Sequence, residues 1–256
     1  MHGLARTLHL AFGIFANGTA FFIYLAPIVT FKRVIKRRST EEFSGLPYVM
    51  ALLNCLLCAW YGLPFVSPNN ILMTTVDGTG TVIELAFVVI FLVFAPKNEK
   101  RKMGALLILI VGIFVAVALL SVLVFHGRIR QLFCGFASLI STAIMYFSPL
   151  SVIRVVMKTK SVEFMPFLLT FSIFLCGTAW LIFGLLENDP FVYVPNAIGC
   201  GVGVLQLILY AIYSQNTIFM TIKRSFSQWM LQINAMPKEE KKQPSIPSSK
   251  HDEPAV

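Results

Sequence analysis

The sequence predicts an all-α transmembrane protein of seven helices, built as two parallel three-helix repeats joined by a linker helix (3+1+3). Three observations predict it. At 57% hydrophobic and 13% charged residues, with a mean hydropathy of +0.76, the chain cannot solvate its own surface as a soluble globule. It holds seven apolar runs of about 20 residues, the length that crosses the hydrocarbon core of a bilayer. One phrase occurs twice, 122 residues apart: Leu25-Ala26-Pro27 through Lys32, Val34, Lys36 and Ser39 returns as Phe147-Ser148-Pro149 through Arg154, Val156, Lys158 and Ser161. Pro, Val, Lys and Ser are identical at aligned positions, and Arg38/Lys160 keeps its charge.

The apolar runs place the spans, in order, at Leu8 to Phe31, Gly45 to Phe65, Ile71 to Ala95, Met103 to Phe125, Leu132 to Met157, Met165 to Leu186 and Phe191 to Tyr213. No basic segment with a short apolar core and a small-residue cleavage site precedes the first, so a removable signal peptide is not expected. Positive charge collects in alternate loops. Lys32 to Arg38 follow span one, Lys97 to Lys102 follow span three, and Arg154, Lys158 and Lys160 close span five. Ser67 to Asn70 carries no charge and the loop after span six carries Glu187 and Asp189; only Arg128 and Arg130 depart from the pattern. Basic loops stay cytosolic, which puts the N-terminus outside, the C-terminus inside, and makes the net charge of +9 chiefly a topology signal.

Repeat and span count must agree. Two three-helix units joined directly would be inverted, and one extra span restores the common orientation. Span four is that helix, because it matches neither block. The expected units are residues 1–96, a linker helix over 97–128, a second repeat over 129–213, and a cytosolic tail over 214–256. In a chain this apolar, duplicated bundles point to a transporter whose site lies between the repeats near the bilayer midplane.

Other chemistries are disfavoured. Cys55 and Cys58 have the spacing of a redox or zinc half-site, but they lie in an apolar span with no second pair. All five cysteines, with Cys134, Cys176 and Cys200, fall in spans, so no disulfide framework is expected. Asn17-Gly18-Thr19 is a glycosylation sequon inside span one. Gly199, Gly201 and Gly203 follow no strand and suit close helix packing rather than a dinucleotide. His2, His9, His126 and His251 are scattered, no Ser/His/Asp set converges, and no basic face on a soluble domain offers a nucleic-acid surface. Neither a metal nor an enzyme activity is expected. A seven-span receptor shares the topology but predicts no repeat.

Leu25-Ala26-Pro27, Lys36 to Glu41 (KRRSTE), Leu46-Pro47-Tyr48, Trp60 to Pro64 (WYGLP), Lys158 to Pro166 (KTKSVEFMP), Asp189-Pro190-Phe191 and Pro195-Asn196 resemble the SWEET sugar transporters of plants, over nearly all of residues 8–213. The likeness is greatest to the group associated with hexoses, especially glucose. SWEETs are themselves a standing example of parallel repeats, so the topology belongs to the resemblance and is no separate support for it.

A neutral sugar presents hydroxyls and an apolar C–H face, which a dry pocket matches with paired polar groups and an aromatic or sulfur surface. The resemblance puts an amide pair at Asp77 and Asn196, each followed three residues on by a glycine, Gly80 and Gly199. This chain departs by carrying Asp77 where Asn is expected. A carboxylate at membrane depth costs about 2.5 to 3.5 kcal/mol on insertion scales, so Asp77 must be solvated, paired or protonated. It lines a wet pathway, or it caps the start of span three near the outer loop. The resemblance sets Trp180 opposite Cys58, with Asn54 and Cys176 one turn earlier on the same faces, and makes Ile23 and Met145 a size-selecting pair. Pro27, Pro47, Pro149 and Pro166 are candidate kinks, since an interior proline removes a hydrogen bond and clashes with the preceding turn. The resemblance makes them a hinge.

Tyr61 and Asp189 resemble outer-gate partners, with Phe183 where some relatives carry Tyr. The implied function is bidirectional, facilitative hexose transport by alternating access, with no cofactor and no energy source; the alternative is a proton-coupled solute carrier using Asp77. The implied partners are a monosaccharide and the lipid bilayer. A seven-helix unit suffices for transport, though the resemblance also implies a homo-oligomer. The plasma membrane is the expected address, with the vacuolar membrane as alternative. Ser214 to Ala235 reads as a short amphipathic helix on the membrane. Pro237 to Val256 reads as disordered, with Ser245, Ser248 and Ser249 as candidate phosphorylation sites.

Overall fold

A computed structural model describes residues 2–41, 43–163 and 165–235. The expected disordered tail and its serines lie outside the described residues. The described helices are α1 (His2–Leu25), α2 (Ile28–Arg37), α3 (Leu46–Tyr61), α4 (Ile71–Phe94), α5 (Lys97–Leu123), α6 (Gly127–Met145), α7 (Phe147–Thr159), α8 (Phe167–Leu186) and α9 (Pro190–Ala235). They make seven spans, because α1 with α2 and α6 with α7 each cross as one broken rod. Six are long and apolar enough to cross a membrane, and α3, at 16 residues, is the shorter seventh.

Several boundaries differ from the sequence expectation, among them the end of span one, at Arg37 rather than Phe31, and the start of span five, at Gly127 rather than Leu132. Span one begins at His2 rather than Leu8, with Leu4, Ala5 and Arg6 as good helix formers, and span four begins at Lys97 rather than Met103, where Lys and Glu extend the helix beyond its apolar run. Span two stops at Tyr61, and Gly62, Pro64 and Pro68 turn the chain back through residues 62–69 toward α4. The short helix expected over Ser214 to Ala235 is not separate. It continues α9, because no Gly or Pro interrupts the chain between Gly203 and Ala235.

The repeated phrase folds twice into the same helix stop. Arg38 and Lys160 each take the left-handed conformation just past α2 and α7, with φ of 51° and 53°. One residue on, Ser39 accepts the Glu41 N–H through its hydroxyl and Ser161 accepts the Glu163 N–H in the same way. Glu41 is held by Arg33 at 2.6 Å and Arg37 at 3.1 Å. The prolines divide into two kinds. Pro27 lies between α1 and α2, and Pro149 is the third residue of α7, just past the α6 end, so both interrupt a span. Pro47 and Pro166 do not kink a helix. Pro47 occupies the first turn of α3 and Pro166 caps α8, where a missing N–H removes no intrahelical bond. Pro195, deep in α9, is a further interior proline and leaves the Phe191 carbonyl without its usual donor.

Packing is reciprocal between the repeats: α1 lies along α8, and α6 lies along α3. The linker α5 packs on α3, where Trp60 Nε1 donates to Ser121 Oγ at 3.0 Å. Buried apolar residues form three separate cores. One unites both repeats at the end bearing the Ser67 and Asp189 loops, through Ala16, Ala20, Cys58, Tyr61, Trp180, Phe183 and Phe191. At the basic end the repeats have separate cores: Phe31, Leu53, Phe87 and Phe91 in the first, with Ile110 of the linker, and Ile153, Val156, Met165 and Leu209 in the second. The buried core therefore unites the bundles chiefly at one end, with Ala137 of α6 the second-repeat residue packed against the first-repeat core. The basic residues that broke the loop pattern act locally. Arg130 donates to the carbonyls of Phe125 at 3.1 Å and Phe65 at 3.2 Å, closing the end of α5.

Candidate functional site

A cavity of about 130 Å³ lies between the repeats, directly beneath the united core. Asp77 on α4 and Asn196 on α9 both line it, with Asn54 and Cys58 from α3 and Trp180 from α8. Asp77 sits seven residues past Asn70, the residue that precedes α4, so the helix-start reading of Asp77 does not hold. It is 8% exposed, and its hydrogen bond among the described residues comes from the Tyr24 hydroxyl at 3.0 Å. Asn196 turns its amide N–H onto the Val192 carbonyl at 2.8 Å and keeps its oxygen free to accept. Asn54 is set the other way. Its oxygen accepts from Ser141 and Thr142, each at 2.9 Å, which aims the amide N–H groups at the cavity. The lining thus offers a carboxylate, an amide acceptor and an amide donor around the Trp180 ring, whose edge is fixed against Phe183 at 5.0 Å.

Three expected residues lie elsewhere. Cys176 lines a second cavity that shares Asn196. Ile23 packs against the united core and Met145 ends α6; neither lines the central cavity. Each stands four residues before an interrupting proline, where its carbonyl loses the usual donor four residues on; the Ile23 carbonyl accepts the Ala26 N–H at 3.1 Å instead. In exchange, the structure brings in residues the sequence reading passed over: Met73, Ser138, Thr142, Phe191, Val192 and Pro195. Ser138, Ser141 and Thr142 form a polar stripe in the apolar part of α6 beyond Gln131, which was a legible signal. Met73 and Val192 sit one turn before Asp77 and Asn196, on the same faces.

Tyr24 and Tyr146 occupy matched places in the repeats and brace the two cavity helices. An added Cβ at Gly80 would lie 2.6 Å from the Tyr24 ring, and one at Gly199 would lie 2.7 Å from the Tyr146 hydroxyl. Only glycine lets each ring approach so closely. Tyr24 donates to Asp77, and Tyr146 donates to the Pro195 carbonyl beside Asn196.

Above the united core, Asp189 is 6% exposed and collects donors from three elements. The Tyr61 hydroxyl reaches both its oxygens at 2.7 and 2.9 Å, Asn70 Nδ2 donates at 2.7 Å and Ser67 Oγ at 3.3 Å. Asp189 also caps α9 by accepting the Phe191 N–H at 3.0 Å. Phe183, the hydroxyl-free counterpart of Tyr61, is fully buried and stacks on His9 at 3.9 Å.

Duplicated helix bundles that close at one end over a polar cavity define a class of integral membrane protein built for passing a small solute. The family model described as "Sugar efflux transporter for intercellular exchange" matches this chain at residues 10–99 and again at 132–218. "Bidirectional sugar transporter SWEET1a" of Oryza sativa subsp. japonica is 61% identical over 202 residues, covering 79% of this chain and 74% of that protein. "Bidirectional sugar transporter SWEET1" of Arabidopsis thaliana is 57% identical over 208 residues, 81% of this chain and 84% of the other. The solved 3.7 Å structure of a eukaryotic SWEET transporter superposes with a TM-score of 0.81 at 44% identity, covering 83% of this chain and 99% of that one. The chain belongs to the SWEET family, a family of transporters and not of enzymes.

Proposed function

We propose that this protein carries hexoses, glucose first among them, across a plant plasma membrane in both directions, without an energy source and by alternating access. The observation that carries this reading is the polar cavity shared by Asp77 and Asn196 between two like-oriented bundles. Asp77 and the Asn196 oxygen accept sugar hydroxyls, Asn54 donates, and Trp180 backs the C–H face. The united core at the Asp189 end and the separate cores at the basic end suit a state closed to one side. The positive-inside rule makes the basic end cytosolic, so Tyr61 and Asp189 are the closed outer gate. Pro27 and Pro149 interrupt the rods that must rock, and Pro47 and Pro166 fix the ends of their partners. The cavity is lined by one chain, so assembly into a homo-oligomer multiplies sites and completes none. At about 130 Å³ it falls below the roughly 300 Å³ usual for ligand pockets, so sugar entry requires the basic-end halves to part.

The test is counterflow of labelled glucose in proteoliposomes, run beside fructose, galactose and sucrose. Exchange with glucose supports the reading, and absence of exchange with every sugar sinks it. A second reading, coupling to protons, is favoured by one feature: Asp77 is a buried carboxylate with a tyrosine hydroxyl, and no cation, as its hydrogen-bond partner among the described residues.

A further inference from the structure

A second cavity of about 170 Å³ opens beside the first, wholly within the second repeat. Four of its lining residues lie along one face of α9: Asn196, Gly199, Gly203 and Gln206. Tyr146 and Cys176 line it from α6 and α8. Apart from the Tyr146 hydroxyl, which donates to the Pro195 carbonyl, its walls are apolar or small except at two amides. One is Asn196, which also faces the central cavity. The other is Gln206, 6% exposed, whose side chain makes no hydrogen bond among the described residues. Its amide is not sealed away: the sealed polar atoms without a partner among the described residues are His9 Nε2, Asn70 Oδ1 and Glu84 Oε2, so the Gln206 amide keeps accessible surface on the cavity it lines. Ten residues of helix set Gln206 about 15 Å from Asn196 toward the basic end.

The first repeat has no such amide. In the register that aligns Asp77 with Asn196, Gln206 falls on Phe87 and Gly203 on Glu84. Phe87 is 5% exposed and lies flat on Phe31, with ring centroids 4.4 Å apart at 8°. Where the first bundle packs stacked aromatic rings and a buried Glu84 carboxyl, the second keeps a cavity and a free amide.

We propose that this cavity is a second carbohydrate station, in which Gln206 binds sugar hydroxyls passed from Asn196, on the wall that the second repeat contributes to the inner half of the path. The inference rests on the hexose-carrier reading above. A free amide supplies both a donor and an acceptor, the pairing a neutral polyol needs, and the apolar walls suit its C–H face.

The experiment compares Gln206→Leu, which keeps the volume and removes the amide, with wild type and Asn196→Ala. Counterflow of labelled glucose and equilibrium glucose binding to the solubilised protein are both measured. Gln206→Leu should lower the counterflow rate about five- to tenfold while leaving binding within about twofold, whereas Asn196→Ala should lose both. A wild-type rate in Gln206→Leu, or loss of binding equal to that of Asn196→Ala, overturns the station. A second measurement needs no change at Gln206. In Asp77→Ala, glucose should still slow thiol modification of Cys176 but no longer that of Cys58, read peptide by peptide. Loss of both protections together overturns the proposal. Failure of wild-type counterflow refutes instead the carrier reading on which it depends.

Discussion

Removing the hydroxyl of Tyr61 isolates the outer closure. In Tyr61→Phe the ring still fills its fully buried place against Phe191, at a centroid distance of 5.9 Å, but the donor to both oxygens of Asp189 is gone. Asn70, Ser67 and the Phe191 N–H continue to hold the carboxylate, so it is not left bare. A hydrogen bond to a charged group contributes about 1.5 to 3 kcal/mol net, which moves a closed-to-open equilibrium by about ten- to a hundredfold. Because Cys58 lines the cavity beneath this cluster, its accessibility reports the equilibrium. In sealed vesicles of known orientation, a membrane-impermeant thiol reagent added from the outer face should label Cys58 faster in Tyr61→Phe by about that factor. Labelling at the wild-type rate, in protein that folds and reconstitutes normally, would refute the assignment of the cluster as a closure.

Asp77→Asn keeps the shape and the acceptor for Tyr24, so under uniport its glucose uptake across external pH 5 to 8 should parallel wild type; divergent profiles would favour the proton-coupled reading. Gly80→Val should displace Tyr24 from Asp77 and reduce glucose counterflow severalfold at unchanged expression, and normal counterflow would remove the tyrosine brace from the account. Asn54→Leu removes one acceptor of the Ser141 and Thr142 hydroxyls, which still reach the Ser138 carbonyl at 2.8 and 2.9 Å, and should destabilise the protein by only about 0.5 to 1.5 kcal/mol, read as a lowered melting temperature in detergent. Ser121→Ala removes the Trp60 bond to the linker at about 0.5 to 1.5 kcal/mol; a loss well above that range would mean that α5 is held to α3 by this contact far more than by its apolar packing.

The architecture was legible because its signals are local. The repeated phrase works through the left-handed caps at Arg38 and Lys160 and the serine turns behind them, which depend on a few neighbouring residues. The site was legible only in part. Asp77, Asn196, Asn54, Cys58 and Trp180 converge, but Ile23 and Met145 are not among the residues lining the cavity; Ile23 packs instead against the united core. Ser138 and Thr142 were visible as a polar stripe without a direction. Their place on the cavity wall follows from α6 packing on α3, a contact between residues far apart in the chain.

By itself the sequence determined that the chain lives in a bilayer, crosses it seven times, and is a tandem duplication around one helix. Composition, span length and charge asymmetry act residue by residue against water and lipid, and need no knowledge of neighbours. Only the tertiary structure decided that the repeats share a buried core at one end and keep largely separate cores at the other. It also decided that Asp189 is the meeting point of donors from separate elements, and that the second bundle keeps a cavity where the first packs aromatic rings and a buried carboxyl. Those outcomes depend on which faces of distant helices pack together, and periodicity along one helix carries no information about its partner.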